Sequence, residues 1–468
     1  MSNPALRCVV SVSGIRGVVG ESIDPLQVMG LSAAFARAVA GGGSVILGRD
    51  SRPTGECFAQ AAAAGLRAAG CSVVDLGIVP TPTVPIMVAE LKAAGGIQIS
   101  ASHNPVEWNA LKFFNAKGRN VDQGELDRLI AAYERPPADL WQRWAGVGDY
   151  RRDDTAIGIH IARVLAAVDV ELIRRRRFTV LLDSVNGAGA VIAPQLLARL
   201  GCRVVSIHGR PDLVFPRDPE PTAANVAATG AMVAAAGADI GFVQDPDADR
   251  LAIIDECGRY IGEEYTLVLC AASRIAACVA AGTPGAGIVA CTNLSTSRML
   301  EDVAARHGAR VVRAKVGEAN VVDAMEANSA AIGGEGNGGI IDPRVVWGRD
   351  SQIGMALVLE HLAREARPLS HVIAAIPAYA IHKEKVAMDR AAVSASIPRL
   401  QAHQVARGAE VDLRDGIKLN WADRWVHLRA SGTEPASRII AEAPTNEAAS
   451  ALAAAVRAAV GAAVATGH

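Results

Sequence analysis

Short β-branched apolar runs alternate along the chain with longer Ala- and Leu-rich stretches, and three times the alternation takes the same form. Ser44–Gly48 is followed by a helical pattern near Phe58–Ala69 and then by Gly70-Cys71-Ser72-Val73-Val74. Thr179–Asp183 leads to a helical pattern near Val191–Leu200 and to Gly201-Cys202-Arg203-Val204-Val205. Gly287–Thr292 leads to Ser297–His307 and to Gly308-Ala309-Arg310-Val311-Val312. Each pattern predicts a strand–helix–strand unit with parallel strands and a right-handed crossover. The Gly before each second strand reads as a helix C-cap, where a left-handed residue ends the helix. The units recur too far apart for a solenoid, so they predict three similar α/β domains.

From about Tyr379 the pattern changes. Short alternating strands over Gly416–Asn420, Trp425–Arg429 and Arg438–Ala443, with one closing helix over Asn446–Val464, predict a smaller α+β domain. The charged stretch Tyr150–Asp154 and the Pro-containing Ala374–Ala378 read as boundaries. The expected domains are residues 1–150, 151–255, 256–375 and 376–468. The run Arg174–Arg177 reads as a solvated helix end.

Half of the 468 residues are apolar, which gives each domain the material for a core, and the low aromatic share of 4 % suits helices laid on sheets. Lys and Arg number 47 against 48 Asp and Glu. A net charge of −1 gives no global attraction to nucleic acid or to an anionic membrane, so an anionic ligand must be held by local clusters. The eight cysteines show no Cys-x-x-Cys spacing and read as buried, reduced thiols of a cytoplasmic protein. Met1–Arg7 lacks the long apolar segment of a secretory signal. Leu267–Ala281 is too short, and too interrupted by Ser273 and Arg274, to span a bilayer.

Four segments carry chemistry. In Gln244-Asp245-Pro246-Asp247-Ala248-Asp249-Arg250, between the apolar strands Ile240–Val243 and Leu251–Ile254, three carboxylates at i, i+2 and i+4 fall on one side of an extended segment. Like charges that close raise each other's pKa, and a divalent cation relieves the repulsion. All-oxygen ligands favour a hard ion such as Mg²⁺. A solvated acidic turn is the plain alternative. A helix-flanked calcium loop is excluded by the missing distal Glu.

Ile97-Gln98-Ile99-Ser100-Ala101-Ser102-His103-Asn104-Pro105 ends a strand in small polar residues. Ser102 is expected there beside free backbone N–H groups, a place for a phosphate, although alone it also reads as an ordinary loop serine. Lys112, ten residues on, reads as an acid/base or charge partner, or as a plain solvent-facing lysine. Arg429-Ala430-Ser431-Gly432-Thr433-Glu434-Pro435, with Arg438 beyond it, offers hydroxyls, a Gly N–H and guanidinium forks for a phosphate. A turn whose hydroxyls satisfy the backbone is the alternative. In Gly333–Gly339, glycines at every position but Glu335 and Asn337 let backbone approach a ligand, and those two side chains can hydrogen-bond sugar hydroxyls.

Together, and in this order along nearly the whole chain, these segments resemble the α-D-phosphohexomutases, the family of phosphoglucomutase/phosphomannomutase and phosphoglucosamine mutase. Ser13-Gly14-Ile15-Arg16-Gly17-Val18-Val19-Gly20 is similar to the family's N-terminal motif, and Phe215-Pro216-Arg217-Asp218-Pro219-Glu220-Pro221 to its domain-two linker. The resemblance implies three α/β domains and a smaller α+β domain around a central cleft. It implies that Ser102 carries the phosphoryl group and, with Asp245, Asp247 and Asp249, binds Mg²⁺. It gives catalytic places to Lys112, Arg16, His103 and Arg250. It assigns Glu335 and Asn337 to the sugar, and Arg429, Ser431, Gly432, Thr433 and Arg438 to the non-reacting phosphate.

The implied reaction interconverts hexose 6-phosphate and hexose 1-phosphate through a hexose bisphosphate. Phosphoglucosamine mutase is the first reading, phosphoglucomutase/phosphomannomutase the alternative, and a sugar-phosphate phosphatase a weaker rival. The expected partners are these sugar phosphates, without nucleic acid or membrane, in a monomer or homodimer. One departure stands out. Many bacterial members have Glu-x-Ser-Gly-His in the sugar loop, and here Asn337 stands for the Ser and Gly339 for the His.

Overall fold

The computed structural model describes residues 6–430 and 436–461. They form two compact units, one holding the chain up to Arg274 with Ala331–Ile373, the other Ile275–Ala330 with the chain from Ala374 onward.

In the first unit, a seven-stranded mixed sheet runs in the order Val9–Ser11, Gly14–Val18, Trp108–Asn115, Gly95–Ile99, Ser44–Arg49, Ser72–Ile78, Tyr150–Arg152. The predicted strand–helix–strand unit is there, with Ser44–Arg49 and Ser72–Ile78 parallel and Gly55–Ala68 as the crossover helix. Tyr150–Arg152, read from its charge as a boundary, is itself an edge strand parallel to Ser72–Ile78. Helix starts follow capping chemistry: Asp24 with Gln27, and Asp122 with Glu125, form reciprocal capping boxes that satisfy backbone N–H groups. Phe35 from the first of these helices packs on Phe113 of the sheet, with ring centroids 5.2 Å apart.

A four-stranded sheet follows, in the order Leu251–Asp255, Ile240–Gln244, Thr179–Asp183, Arg203–Ile207, again with a parallel pair joined by the helix Gly189–Arg199. The helix Val170–Arg176 ends on left-handed Arg177 (φ +50°), in agreement with the arginine run as a helix end. The apolar stretch from Leu267 lies in the helix Glu264–Ala280, where Leu267–Ala272 are buried all round. No helix among the described residues is long and apolar enough to cross a membrane.

In the second unit, Val289–Asn293 and Arg310–Ala314 pair in parallel, with the helix Met299–Ala305 between them. The C-terminal sheet is antiparallel, in the order Ala380–Val386, Ser437–Ala443, Trp425–Ala430, Ile417–Asn420, Glu410–Asp412. Its closing helix is Asn446–Val460, ended by Gly461 at φ +68°, shorter than expected; Val464 lies outside the described residues. A second helix, Arg390–Ala402, was not legible in the pattern, because only Val393, Ser396 and Leu400 are buried and Pro398 interrupts it. The three glycines expected as C-caps are left-handed, Gly70 at φ +93°, Gly201 at +78° and Gly308 at +68°. All eight cysteines are unpaired, but Cys57 and Cys257 are exposed, so burial does not explain the whole set.

One regularity positions the chemistry. In three places a strand runs into a short loop and returns antiparallel. Gly95–Ile99 returns as Trp108–Asn115, Ile240–Gln244 as Leu251–Asp255, and Ile332–Glu335 as Gly339–Ile341. The first two loops hold Ser102 and the three aspartates; in the third hairpin Glu335 ends the strand and Asn337 lies in the loop after it. The candidate residues thus sit at corresponding C-terminal strand ends, the usual address for ligands in α/β sheets.

Candidate active site

Ser102 is buried and held in the left-handed region at φ +51°, a conformation costly for a serine unless its surroundings impose it. The surroundings do so. Its N–H donates to Ser100 Oγ at 2.9 Å, and Ser100 Oγ donates to Asp50 Oδ2 at 2.6 Å. Arg52, 1 % exposed, pairs through Nε with Asp50 Oδ2 at 3.1 Å. Its other nitrogens donate to the carbonyls of Ser102 and Asn104, each at 2.6 Å, and of Trp108 at 3.0 Å. Phe215, from the domain-two linker motif, lies under the Arg52 guanidinium at 5.1 Å. The expectation of free backbone donors at this serine is corrected in part, since the N–H of Ser102 is engaged by Ser100. Asp50 and Arg52 were not singled out in the sequence.

The aspartate loop is a turn rather than an extended segment. Ala248 is left-handed at φ +53° and its N–H donates to the Asp245 carbonyl at 3.0 Å. Convergence of the three carboxylates therefore comes from this reversal and not from strand alternation, which corrects the expected geometry. Each offers an oxygen within 4.8 Å of the others. The remaining oxygens are allocated in an ordered way. Asp245 Oδ2 accepts from Ser102 Oγ at 2.9 Å, and its Oδ1 accepts the backbone N–H groups of Asp249 at 3.2 Å and Arg250 at 3.1 Å. Asp247 Oδ2 takes Lys112 Nζ at 2.6 Å and the Thr81 hydroxyl. Asp249 Oδ2 takes Lys112 Nζ at 3.2 Å and Arg349 Nη2 at 2.7 Å.

Oδ1 of Asp247 and Oδ1 of Asp249 are buried without a hydrogen-bond partner. A buried carboxylate oxygen left unbonded is costly unless something else binds it. Hard oxygen donors from three converging carboxylates, two of them with an orphaned oxygen, fit a divalent metal ion. Burial and the charges of Asp249 and Asp247 push Asp245 up, the direction expected of crowded carboxylates. Against the same burial, Arg349 and Lys112 hold Asp249 below the usual carboxylate range.

Around this loop stands an excess of cations. Lys112 is buried, and against the cost of burial Asp247 and Asp249 hold its ammonium above the usual lysine range. Burial and the charges of Arg250 and Arg349 push Arg16 below the ordinary arginine value. The Nε atoms of Arg16 and Arg250 are buried with no hydrogen-bond partner. His103 Nδ1 lies 3.4 Å from Ser102 Oγ. Arg250 and burial lower its pKa to about 2, so its ring is neutral here. Four cations facing three aspartates, with unsatisfied guanidinium donors, suit a bound phosphate dianion.

The structure also brings Glu335 and Asn337 here. Glu335 Oε2 lies 3.8 Å from Arg349 Nη1 and 3.4 Å from Asn337 Nδ2. Backbone contact ties the loop to the aspartate turn, since Leu251 N–H donates to Gly338 O at 2.9 Å, and a Cβ at Gly338 would lie 2.6 Å from Leu251 O. Arg349, which touches both loops, was missed by sequence reasoning. It precedes the helix Ser351–Glu365, whose N-cap Asp350 is fixed by buried His160 at 3.0 Å. Ser351 Oγ donates to Ala248 O at 2.6 Å and so docks that helix on the aspartate turn.

In the second unit, Arg429 and Arg438 face each other across the antiparallel pair of Trp425–Ala430 and Ser437–Ala443. Arg429 Nε meets Asp415 Oδ2 at 3.2 Å, and the same oxygen accepts the N–H of Val316 at 3.1 Å. Ser431, Gly432 and Thr433 lie outside the described residues.

A buried serine on an acidic turn that could hold a divalent ion, ringed by cations and built on repeated α/β hairpins, is the arrangement expected of a phosphoryl-transfer enzyme. Comparison names the family. The four phosphoglucomutase/phosphomannomutase domain models match in order, the α/β/α domains I, II and III at residues 9–138, 159–258 and 263–379 and the C-terminal domain at 382–459. The chain is 38 % identical to a phosphoglucomutase/phosphomannomutase of Thermococcus kodakarensis, over 93 % of this chain and 94 % of the relative. It is 30 % identical to a phosphoglucosamine/phosphogalactosamine mutase of Sulfurisphaera tokodaii, over 92 % and 94 %. A crystal structure of a phosphoglucomutase/phosphomannomutase family protein from Burkholderia thailandensis superposes with a TM-score of 0.84 at 26 % identity, over 99 % of this chain and all of that one. The chain belongs to the phosphoglucomutase/phosphomannomutase family and is a phosphohexomutase, an isomerase that moves a phosphoryl group within a hexose phosphate.

Proposed function

We propose that the enzyme interconverts glucosamine 6-phosphate and glucosamine 1-phosphate through phosphorylated Ser102 and a bisphosphate intermediate. The observation that carries transfer through Ser102 is its 2.9 Å contact with Asp245, in a turn whose other carboxylates keep unbonded oxygens, and glucosamine phosphate as the sugar is supported by relatives such as the phosphoglucosamine/phosphogalactosamine mutase. Transfer breaks the bond between phosphorus and Ser102 Oγ and makes one to the free hydroxyl of the hexose monophosphate. The bisphosphate then turns round and its original phosphoryl returns to Ser102. Arg16 and Arg250 hold the transferring group by charge, and Lys112 carries the proton exchanged between Ser102 Oγ and the sugar oxygen. His103, neutral, orients Ser102 Oγ by a hydrogen bond. Mg²⁺, held by Asp245, Asp247, Asp249 and the Ser102 oxygen, would supply positive charge to the transferring phosphoryl group. Glu335 and Asn337 read the sugar hydroxyls. Arg429, Arg438 and the Ser431–Thr433 loop hold the non-reacting phosphate in both orientations.

Glucose and mannose phosphates are the second reading, favoured by the 38 % identity to a phosphoglucomutase/phosphomannomutase. The relatives named above carry mutase names, so a phosphatase has no support among them. We read the enzyme as cytoplasmic, a monomer or homodimer without nucleic-acid or membrane partners, in keeping with its net charge of −1. A coupled assay on glucosamine 6-phosphate, glucose 1-phosphate and mannose 1-phosphate, with the matching bisphosphate as activator, tests the reading. Highest kcat/KM on glucosamine phosphate is expected. Turnover of glucose or mannose phosphate alone would replace the first reading by the second.

A further inference from the structure

The sugar loop departs from the bacterial pattern at Gly339, and the structure supplies a physical reason. A Cβ at Gly339 would lie 2.3 Å from Arg349 Cδ, 3.0 Å from its Cγ and 3.1 Å from Asn337 Oδ1, so any side chain there must push the Arg349 stem aside. The Arg349 stem thus occupies the space that a side chain at 339 would take. The guanidinium this stem carries is mostly buried, 12 % exposed. One arm holds Asp249 Oδ2 at 2.7 Å and the other lies 3.8 Å from Glu335 Oε2. Asp249 belongs to the aspartate turn and Glu335 to the sugar loop, so one rigid, planar cation spans both. Its backbone is anchored independently, by Asp350 capping the helix behind it and by the His160 ring on Asp350. Such an anchor fixes where the fork points.

We propose that Arg349 is a specificity-determining positioning residue, supplying a cation to the sugar-reading loop from the space beside Gly339 and setting the orientation of Glu335 toward the hexose. The inference rests on the mutase reading above. The direction of the Glu335 carboxylate is set in part by its contacts with Arg349 and Asn337, and the hydroxyl pattern it meets follows from that direction. Displacing the fork re-aims Glu335 and changes the preference among hexoses. A generic loss of packing would instead weaken all hexoses alike.

Two substitutions test this from opposite sides. Arg349→Gln removes the charge and the fork. Gly339→Ala adds one methyl that must push the Arg349 stem aside, with no change of charge. Activity on the three hexose phosphates and thermal unfolding are measured for both variants and for their double mutant. Each single variant should shift the ratio of kcat/KM between the two best sugars by roughly fivefold or more, mainly through KM, and the double should be no worse than Arg349→Gln alone, since both act on one group. Should Arg349→Gln fail to fold, Gly339→Ala alone decides. Equal losses on all three sugars, unchanged ratios, or losses that multiply in the double mutant overturn the proposal. An inactive wild type on every hexose phosphate would sink the mutase reading instead, so the two failures are distinguishable.

Discussion

Replacing Arg52 by Lys keeps a positive charge but removes the fork that holds the Ser102 loop. In the native protein the Arg52 nitrogens reach Asp50 Oδ2 and the carbonyls of Ser102, Asn104, Pro105 and Trp108. A single ammonium has three donors and cannot serve five acceptors spread round a plane. At least two buried carbonyls lose charged donors, worth about 1.5–3 kcal/mol each. If the ammonium also fails to reach Asp50, a buried carboxylate is left unpaired at a cost of about 3–5 kcal/mol. The total expected loss is therefore about 3–5 kcal/mol, because the local structure relaxes and such terms do not add fully. For a unit this large, roughly 2 °C of melting temperature goes with each kcal/mol, so Arg52→Lys should melt about 6–10 °C lower. The left-handed backbone at Ser102 has no other clamp of this strength, so its loop should exchange amide hydrogens faster than the rest of the sheet. Calorimetry, hydrogen exchange over residues 100–108 and initial mutase rates read the three consequences together. A variant that melts with the wild type, protects the loop equally and turns over at full rate would falsify the clamp.

Ser102→Ala should abolish turnover and leave the melting curve unchanged; residual activity near wild type, with intact-mass evidence of phosphorylation elsewhere, would remove Ser102 from the mechanism. Asp247→Asn should lower metal-dependent activity about a hundredfold and weaken Mg²⁺ binding in a calorimetric titration, and equal binding would take Asp247 out of the metal site. Gly336→Ala should raise KM for every hexose phosphate, because the added methyl would sit 1.9 Å from Glu264 Oε2 and must displace the Glu264 carboxylate or the loop itself. Lys418 predicts a pH effect in the other unit. Its Nζ is buried, donates to Leu294 O at 2.6 Å and lies 4.2 Å from the Trp425 ring, and burial, with the nearby Arg313 charge, lowers its pKa to about 6. Between pH about 6 and the ordinary lysine value the unfolded chain binds the extra proton, so this residue costs stability that is regained as pH rises. Lys418→Met should accordingly stabilise the protein more at pH 6.5 than at pH 9.5, and a stabilisation independent of pH would refute the assignment.

What the sequence revealed and what it hid divide along one physical line. The strand–helix–strand repeats were legible because hydrophobic period and a terminal Gly are local signals, and Gly70, Gly201 and Gly308 are left-handed as expected. The aspartates and Ser102 were legible because their residue types cluster within single loops. Arg349, Arg52 and Thr81 were not, because their chemistry lies in partners far away in the chain: Arg349 meets Asp249, Arg52 meets the Ser102 loop, and Thr81 meets Asp247. Nothing in Trp347-Gly348-Arg349 or Pro80-Thr81 distinguishes them from ordinary loop residues. The aspartate turn was misjudged for a related reason. Alternation suggested an extended segment, and only the left-handed Ala248, imposed by the strands on either side, closes the carboxylates onto one point. The C-terminal helix Arg390–Ala402 was hidden by Pro398 and by a thin buried face.

The three loop-bearing hairpins have a consequence for how such a catalyst arises. Ser102, the aspartates and the Glu335/Asn337 pair occupy the same architectural address in three successive copies of one unit. On the proposed mechanism no copy is complete, since one carries the nucleophile, one the carboxylates for the metal and one the sugar contacts. A single ancestral module with a serviceable loop, multiplied and then free to lose two of its three tasks in each copy, would leave this distribution behind. On the proposed assignment a loop can change its task while the other two keep theirs, so a new hexose preference could arise in the third hairpin without altering the first.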